Sequence, residues 1–362
     1  MLYLKREYFR RYRHAIKDRY EAIETKSFRG KIYFFNQVVQ INKHYMVVGY
    51  LKILGKFRGK LSAMFASKAN QVKEIFGQIE VQRSGLRACL LWAPGCQFSK
   101  SDLELAAYIF SDKNSNSCIV INCECKDYSS HAKLLDLAEL VVVRENQGYD
   151  WGAYKDLLLN PLCEPFKYVT IINNSIHLIG SKNDWIRQQE LLATSCDGVS
   201  GVVESAYPFP HLQSFALTFT KTALSSDLRH WLEDIKYTNN KFFVVDNYEV
   251  GLSKILNKLN IPLKAILPYA TFYPWVEENW VSVLGPYSLH PKYLEILTLL
   301  RNNLSINPTH ALWRFIHAKG IPITKNELMI KNPIGMPDLF LIKGKAYKGP
   351  RDPSSKVIRP SK

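Results

Sequence analysis

Short apolar runs alternate with segments of helical length through the middle of this chain, and that alternation limits its fold more than any other feature. Four such runs are Ala88–Ala93, Ser117–Cys123, Leu140–Val143 and Tyr168–Ile172. They are mostly apolar, which is typical of strands buried on both faces of a parallel sheet. Strands separated by helices favour right-handed crossover connections. The sequence therefore predicts an α/β fold with a mostly parallel sheet flanked by helices.

The alternation continues beyond the fourth run and then changes. We predict strands at Gly198–Glu204, at His211–Thr220 (a strand that can run antiparallel) and at Pro262–Leu267. Predicted helices span Ser101–Phe110, His131–Ala138 and Tyr248–Leu259. Beyond about residue 280 the pattern is helical. We therefore divide the chain into a basic N-terminal extension (1–85), a core (86–285), a C-terminal helical segment (286–342) and a disordered basic tail (343–362).

Positive charge is concentrated at the two ends of the chain. The net charge is +16, of which residues 1–60 carry +11 and residues 341–362 carry +6. Basic ends of this kind attract polyanions, either anionic lipid headgroups or nucleic acid. Residues 1–30 resemble a basic helix, and residues 31–65 are apolar enough to cover part of the core or to lie against a membrane. Because no nucleic-acid-binding motif is present, we expect an anionic membrane surface rather than nucleic acid as the partner.

Several common classes of protein are not supported. No run of 18 apolar residues predicts a membrane span, and no apolar signal core follows the first residues. The seven cysteines, an odd number, lie mostly on or beside predicted strands, which fits reduced thiols in the cytoplasm. The usual dinucleotide, P-loop, zinc-protease and serine-hydrolase motifs are absent. Cys118, Cys123 and Cys125 crowd one strand end, but alternation along a strand divides them between its faces.

Polar residues follow two of the predicted strands directly. Residues 144–150 (RENQGYD) follow the strand Leu140–Val143, and Asn173-Asn174-Ser175 follow Tyr168–Ile172. We expect the two strands to be neighbours, because a single helix joins them, with Asp150 as the N-cap of that helix. The carboxyl edge of an open α/β sheet is where ligands bind. The sequence thus predicts a ligand site formed by these two polar clusters.

Five segments carry a resemblance to a known family. They are RENxGYDxGAYK (144–155), YVTIINNS (168–175), HLQSF (211–215), YEVGLSKIL (248–256) and the pair NPTHALWR and GIPITKNELMIKNP (307–333). Across roughly Leu86 to Pro333 the chain resembles the rhamnan synthesis protein F family, whose members resemble GT-A glycosyltransferases. The resemblance implies a GT-A-like core, and transfer of sugar from a nucleotide-sugar donor to a surface polysaccharide or lipid-linked glycan of the rhamnan or lipopolysaccharide O-antigen type. Together with the reduced cysteines and the basic N-terminal arm, this predicts a cytoplasmic enzyme, peripheral to the inner face of the membrane.

The resemblance also suggests which residues bind the donor. Arg144, Lys155 and the backbone turn at Gly148 supply positive charge and hydrogen-bond donors suited to a diphosphate. Asp150 either accepts hydrogen bonds from ribose or sugar hydroxyls or only caps its helix. The complete set of expected donor-binding residues is Arg144, Asn146, Gly148, Tyr149, Asp150, Lys155, Asn173, Asn174 and Ser175.

One departure from the GT-A pattern concerns the cofactor. Enzymes of that fold usually bind Mg²⁺ or Mn²⁺ through an Asp-x-Asp pair after the fourth strand, where this chain has Asn173-Asn174-Ser175, with Asn174 in the position of the usual Asp. Hard cations prefer carboxylate ligands. Either the metal ion is dispensable, or another acid such as Asp184 or Glu204 reaches the site. The asparagines could also serve only to hold the turn.

An inverting transfer needs a general base for the acceptor hydroxyl. Glu249, which opens the predicted helix at 248–259, is the first candidate because it resembles the acidic position of a GT-A helix. A glutamate in a first helical turn is also favoured by the helix dipole alone. Asp246, Glu204 and His211 are the alternatives. A non-catalytic protein that binds a nucleotide sugar or a glycan on the same fold is the second hypothesis for function.

Overall fold

The computed structural model describes most of the chain from residue 58 to residue 339. The described residues are Gly55 and 58–64, 66–79, 83–93, 97–124, 128–179, 184–206, 210–302 and 306–339. The predicted basic helix (1–30), most of the segment 31–65 and the basic tail lie outside them. Within these ranges no helix is both long and apolar enough to cross a membrane.

A single large sheet forms the centre of the molecule. Its strands are β1 (Val72–Gly77), β2 (Gly85–Trp92), β3 (Ser115–Cys123), β4 (Leu140–Glu145), β5 (Tyr168–Asn173), β7 (Val199–Ser205), β8 (His211–Leu212), β9 (Ala216–Thr220) and β10 (Leu263–Leu267). Two further short strands, β6 (Ile176–Leu178) and β11 (Ile323–Lys325), pair with each other instead. The spatial order in the sheet is β1-β4-β3-β2-β5-β9-β7-β10, with β8 paired to β7.

Most strand pairs in this sheet are parallel. Strands β4, β3, β2 and β5 run parallel to one another, and β10 runs parallel to β7, whereas β1 and β9 are antiparallel to their neighbours. The fold class predicted from the sequence, an α/β fold with a mostly parallel sheet flanked by helices, is confirmed. The predicted strand His211–Thr220 is divided into β8 and β9, and it does run antiparallel to β7. Strand β1 joins this sheet although it precedes residue 86, where we placed the start of the core.

One prediction about the sheet was wrong. We expected β4 and β5 to be neighbours, but β3 and β2 lie between them. From β2 the chain adds β3 and then β4 on one side and returns to place β5 on the other side. The order therefore reverses between β2 and β5. Such a switch point opens a crevice at the carboxyl ends of the strands, where doubly wound sheets bind their ligands.

The helices cover both faces of the sheet. They are α1 (Lys100–Ile109), α2 (Tyr149–Leu158), α3 (Trp185–Cys196), α4 (Ser226–Glu233), α5 (Lys241–Val244), α6 (Val250–Lys258), α7 (Tyr269–Glu278), α8 (Trp280–Leu284), α9 (Pro291–Arg301), α10 (Pro308–Ala311), α11 (Trp313–Ala318) and α12 (Asn326–Lys331). Alternate residues of a strand enter different cores: Leu90 packs with α2, α4 and α6, whereas Leu91 packs with α1 and the C-terminal helices. Cys118 and Cys123 enter opposite cores in the same way, as alternation predicted.

Three predicted helix starts need correction. Ser99, not Ser101, caps α1, and it forms a capping box with Asp102. The segment predicted as the helix His131–Ala138 is a 3₁₀ helix at Ser129–Asp136. Asp150 is not the N-cap of α2; that position is Gly148, whose φ of 79° is left-handed. A glycine takes this conformation without steric cost, which lets the chain turn sharply from β4 into the helix.

Gly152 is expected to tolerate no side chain, because a Cβ atom built there would lie 2.3 Å from the Gln147 carbonyl oxygen. A backbone atom cannot move aside as a flexible side chain can. We expect Gly152→Ala to lower the free energy of unfolding by about 3 kcal/mol in a denaturant titration. Gly251→Ala is the matched control on α6, since the nearest atom to its Cβ lies 3.6 Å away. That variant is expected to be neutral or slightly stabilising.

Candidate functional site

The two polar clusters predicted from the sequence do meet, at the switch point between β2 and β5. Asn173, the last residue of β5, donates a hydrogen bond from Nδ2 to Asp150 Oδ2 at 2.8 Å. Asp150 lies in the first turn of α2. Because β4 is two strands away from β5, the contact is made by this helix, which brings its first turn to the end of β5.

The amide of Asn174 ties together the elements around the switch point. Its Oδ1 accepts a hydrogen bond from the Trp92 backbone N–H at 3.1 Å, and its Nδ2 donates to Asp102 Oδ1 at 2.8 Å. Trp92 ends β2, and Asp102 lies in the first turn of α1. Half of the Trp92 side chain remains exposed, at 53%. Asn174 thus links the end of β2 to the start of α1 at the rim of the crevice, where the Trp92 side chain remains exposed.

A lysine from the C-terminal segment completes the site. Strand β11 pairs antiparallel with β6, with Lys325 opposite Ile176. Lys325 Nζ donates to Ser175 Oγ at 2.8 Å and lies 4.8 Å from the centre of the Phe215 ring. No role was predicted for Lys325. The only signal in the sequence was its position inside the specific segment GIPITKNELMIKNP.

Glu249 lies at the end of a π-helical turn, Val245–Glu249, which joins α5 to α6. Its Oε1 accepts a hydrogen bond from the Ser214 backbone N–H at 3.3 Å and lies 4.0 Å from His211 Nε2. The predicted helix start at Tyr248 was wrong, because helical structure begins at Lys241. Glu249 is therefore not in a first turn, and the helix dipole does not account for it. Single π-helical turns are frequent at functional sites.

Asp150, Glu249 and Lys325 form one electrostatic unit, which we call the acid–lysine cluster. Burial raises the pKa of Asp150 to about 6; the Lys325 charge opposes this increase and the Glu249 charge adds to it. Burial lowers the pKa of Lys325, whereas Glu249 and Asp150 raise it. The three side chains therefore act on one another directly. An ammonium group beside two acids, one of which has a pKa raised to about 6, is typical of a functional site.

The raised pKa of Asp150 predicts a dependence of stability on pH. This carboxyl group binds its proton more tightly in the folded protein than in the unfolded chain, where the pKa is 3.8. Its contribution to stability is thus full below about pH 4 and is lost as the pH rises through about 6. We expect the free energy of unfolding to fall by about 2–3 kcal/mol over that range relative to Asp150→Asn. Parallel pH curves for the two proteins would show that this carboxyl group is not perturbed.

Arg144, expected to bind the donor, lies in the interior. Its guanidinium group donates to Asp156 Oδ2 at 2.7 Å, to the Gln147 carbonyl oxygen at 2.8 Å and to Asn122 Oδ1. Tyr237 also donates its hydroxyl to Asp156. The Arg144 side chain is completely buried. It supports the turn at residues 147–149 from beneath rather than facing the crevice.

Lys155 is similarly engaged. Its ammonium group donates to three backbone carbonyl oxygens, at 3.0, 2.8 and 2.8 Å, which belong to Lys68, Glu233 and Ile235. An ammonium group has three donor hydrogens, so these contacts use all of them. The two side-chain cations that the sequence analysis assigned to the diphosphate, Arg144 and Lys155, thus stabilise the fold instead. Lys325 is a cation that the structure does place at the crevice.

The other predicted residues lie at or beyond the rim. Tyr149 is 43% exposed, and Asn146 donates to Glu124 Oε1 at 3.1 Å. Glu204 accepts a hydrogen bond from the Tyr269 backbone N–H at 2.8 Å, at the start of α7. It also lines a separate cavity of about 410 Å³ with Ser253 and Asn257. The last three candidates are placed as follows: His211 beside Glu249, Asp246 within the π-helical turn, and Asp184 immediately before α3.

The tripeptide Asn173-Asn174-Ser175 does not fit a divalent metal ion. Its side-chain oxygens already accept hydrogen bonds: Asn173 Oδ1 from the Ser175 N–H, Asn174 Oδ1 from Trp92, and Ser175 Oγ from Lys325. Mg²⁺ and Mn²⁺ prefer carboxylate oxygens. Across the described ranges no group of three or more His, Cys, Asp or Glu side chains is arranged to hold a metal ion. An ammonium group stands beside this tripeptide instead.

Comparison with known proteins gives distant similarities. No protein-family model matches the chain. The virulence protein VirA of Vibrio anguillarum is 23% identical over 229 residues, which cover 57% of this chain and 67% of VirA. At this identity the similarity does not define a family. Function must therefore be argued from the side chains of the site.

Solved structures similar to this chain include nucleotide-sugar glycosyltransferases. A Desulfovibrio desulfuricans protein described as a nucleotide-diphospho-sugar transferase is 9% identical, with a TM-score of 0.32, over 61% of this chain and 99% of that one. A mannosyltransferase of Pyrobaculum calidifontis, solved with GDP-mannose and Mn²⁺, is 12% identical, with a TM-score of 0.33, over 78% of this chain and 85% of that one. These scores are too low for the likeness to carry a functional argument.

Proposed function

We propose that this chain is a glycosyltransferase that transfers a sugar from a nucleotide-sugar donor to a surface polysaccharide or lipid-linked glycan. The observation that carries this proposal is the acid–lysine cluster at the switch point of a doubly wound sheet. Such a crevice binds nucleotides in many α/β proteins. The cluster adds a cation for a diphosphate and two acids for hydroxyl groups, which are the chemical features of a nucleotide sugar.

The residues around the cluster support a division of roles. Asp150 presents its carboxylate to ribose or sugar hydroxyls, and the buried Asn173 amide, which donates to it at 2.8 Å, positions that carboxylate. The exposed aromatic side chains of Trp92 and Tyr149 offer flat surfaces at the rim, suited to a base or a sugar ring. Arg144 and Lys155 serve the fold in this proposal. Arg144 holds the turn that precedes Asp150, and Lys155 binds the carbonyl groups of Glu233 and Ile235.

Glu249 is the proposed general base of an inverting transfer. The acceptor hydroxyl gives its proton to the Glu249 carboxylate while its oxygen forms a bond to the anomeric carbon of the donor sugar. The bond from that carbon to the diphosphate breaks, and its electron pair leaves with the nucleoside diphosphate. The hydrogen bond from Ser214 holds the carboxylate in place. His211, buried 4.0 Å from Glu249, is placed to orient it.

The acceptor side of the proposal rests on the sequence. The family resemblance implies a surface glycan or a lipid-linked precursor as acceptor, and the basic ends of the chain suit an anionic membrane surface where such a precursor lies. We therefore propose that the protein acts in the cytoplasm, peripheral to the membrane.

Donor binding by the purified full-length protein tests the proposal. A panel of UDP-, GDP- and dTDP-sugars is incubated with the protein, and both calorimetric binding and slow release of the free nucleoside diphosphate are measured. Binding of at least one donor is expected. Folded protein that binds none of them would reject the proposal.

A non-catalytic binding protein is the second candidate, favoured by the absence of the Asp-x-Asp carboxylates. It predicts donor binding without release of nucleoside diphosphate, even with a cell extract as a source of acceptor. It also predicts that cells carrying Glu249→Gln make normal surface glycan, whereas cells lacking the protein do not. The transferase proposal predicts loss of the glycan in both strains.

A further inference from the structure

We propose that the ammonium group of Lys325 binds the donor diphosphate directly, in the place of a divalent metal ion, so that this chain binds its donor without metal. This inference rests on the proposed function. It assigns the charge-neutralising role to a residue 150 positions away from the strand end that carries the tripeptide.

The position of Lys325 is the first support. Its Nζ lies 2.8 Å from Ser175 Oγ, and Ser175 is the third residue of the tripeptide that replaces Asp-x-Asp. The pairing of β11 with β6 holds the backbone of Lys325 beside the same strand end. Two contacts from Asn326 strengthen the junction: its N–H donates to the Ser175 carbonyl oxygen at 2.9 Å, and its Nδ2 donates to the Asn174 carbonyl oxygen at 2.7 Å.

The unused hydrogen-bonding capacity of the ammonium group is the second support. An ammonium group has three donor hydrogens, and within the described ranges Lys325 uses one of them, toward Ser175. Lys325 as a residue keeps part of its surface exposed to solvent. Lys155 differs in this respect, because its three donors are all satisfied by carbonyl oxygens.

The neighbouring acids are the third support. Asp150 and Glu249 favour the charged form of Lys325 against the effect of burial. A diphosphate that enters the crevice therefore meets an ammonium group that two carboxylates keep protonated. Two acidic ligands hold a metal ion at such a site in a comparable way. In the transfer step the same ammonium group stabilises the negative charge that develops on the leaving diphosphate oxygen. The side-chain oxygens of the tripeptide accept hydrogen bonds and belong to no carboxylate, so they suit a metal ion less well than Asp-x-Asp does.

Titration calorimetry with UDP, GDP and dTDP tests the inference on the full-length protein, once in excess EDTA and once with Mn²⁺ or Mg²⁺. At least one diphosphate is expected to bind the wild type equally well in both conditions. Lys325→Met is expected to weaken that binding about 10- to 100-fold, because a charge-assisted hydrogen bond is lost. Lys325→Arg keeps the charge and is expected to lose less. The corresponding nucleoside, which has no phosphate, is expected to bind all three proteins equally.

Lys331→Met is the matched control. Lys331 lies at the end of α12 on the same segment, is exposed, and its Nζ is 3.8 Å from Glu327 Oε1. Its replacement removes the same charge and is expected to leave diphosphate affinity unchanged.

Wild-type affinity in Lys325→Met, or diphosphate binding that requires the metal ion, overturns the inference while leaving the proposed function in place. Failure of every diphosphate to bind in both conditions rejects both. The comparison of EDTA with metal needs only the wild type, so it tests metal independence even if Lys325→Met does not fold, and Lys325→Arg then tests the role of the lysine.

Discussion

Glu249→Gln is expected to lower the transfer rate by about 100- to 10,000-fold, the usual contribution of a general base. Glutamine keeps the shape of the side chain, and its amide oxygen can still accept the hydrogen bond from Ser214. It cannot take a proton from the acceptor hydroxyl. Donor affinity and the free energy of unfolding are expected to change little. The measurement is the rate of nucleoside diphosphate release with the acceptor present, alongside calorimetric donor binding.

Asp246→Asn provides the comparison for that experiment. Asp246 lies in the same π-helical turn, three residues before Glu249, and was one of the alternative bases. Its replacement is expected to leave the rate near that of the wild type. If Asp246→Asn lost the activity and Glu249→Gln kept it, the assignment of the base would be reversed. A loss of donor binding in Glu249→Gln would instead mean that this carboxylate acts in binding.

Arg144→Met is expected to destabilise the protein by about 3–5 kcal/mol, because it leaves the Asp156 carboxylate buried without its partner. Both side chains are almost completely buried, at 0% and 2% exposure. The measurement is the free energy of unfolding in a denaturant titration. Donor affinity of the fraction that remains folded is expected to be close to that of the wild type.

The double variant Arg144→Met with Asp156→Leu separates this effect from a general loss of packing. Removal of both charges leaves no buried carboxylate without a partner, so the double variant is expected to be more stable than Arg144→Met alone. A double variant that is less stable than the single one would assign the cost to packing. If Arg144→Met kept wild-type stability but lost donor binding, the role suggested by the sequence would be correct.

The sequence predicted the elements of the fold better than their arrangement. Apolar runs bounded by polar turns marked β2, β3, β4 and β5, because burial on both faces leaves a pattern that can be read locally. The order of these strands depends on where each crossover connection returns to the sheet, and no local sequence pattern indicates that position. The meeting of Asp150 with Asn173 was therefore predicted correctly for an incorrect reason: a helix makes the contact, not adjacent strands.

The candidate site was predicted in part for related physical reasons. Arg144 looked like a turn residue, but β4 continues through Glu145, so the arginine lies within the strand and pairs with Asp156 on α2. In a sequence, an arginine that forms a buried ion pair cannot be told from one that binds a ligand. Lys325 was missed because its place depends on the pairing of two three-residue strands that are far apart in the chain. Strands of three residues are too short to show a detectable hydrophobic periodicity.

The pairing of β6 with β11 makes the site dependent on a late part of the chain. By the time a ribosome has translated β10, every strand of the main sheet has been made, but the lysine of the crevice is still some 60 codons away. A nascent or truncated protein that ends before Ile323 would carry the acids of the crevice without their counter-charge. The acid–lysine cluster therefore forms only after β11 has been translated and has paired with β6.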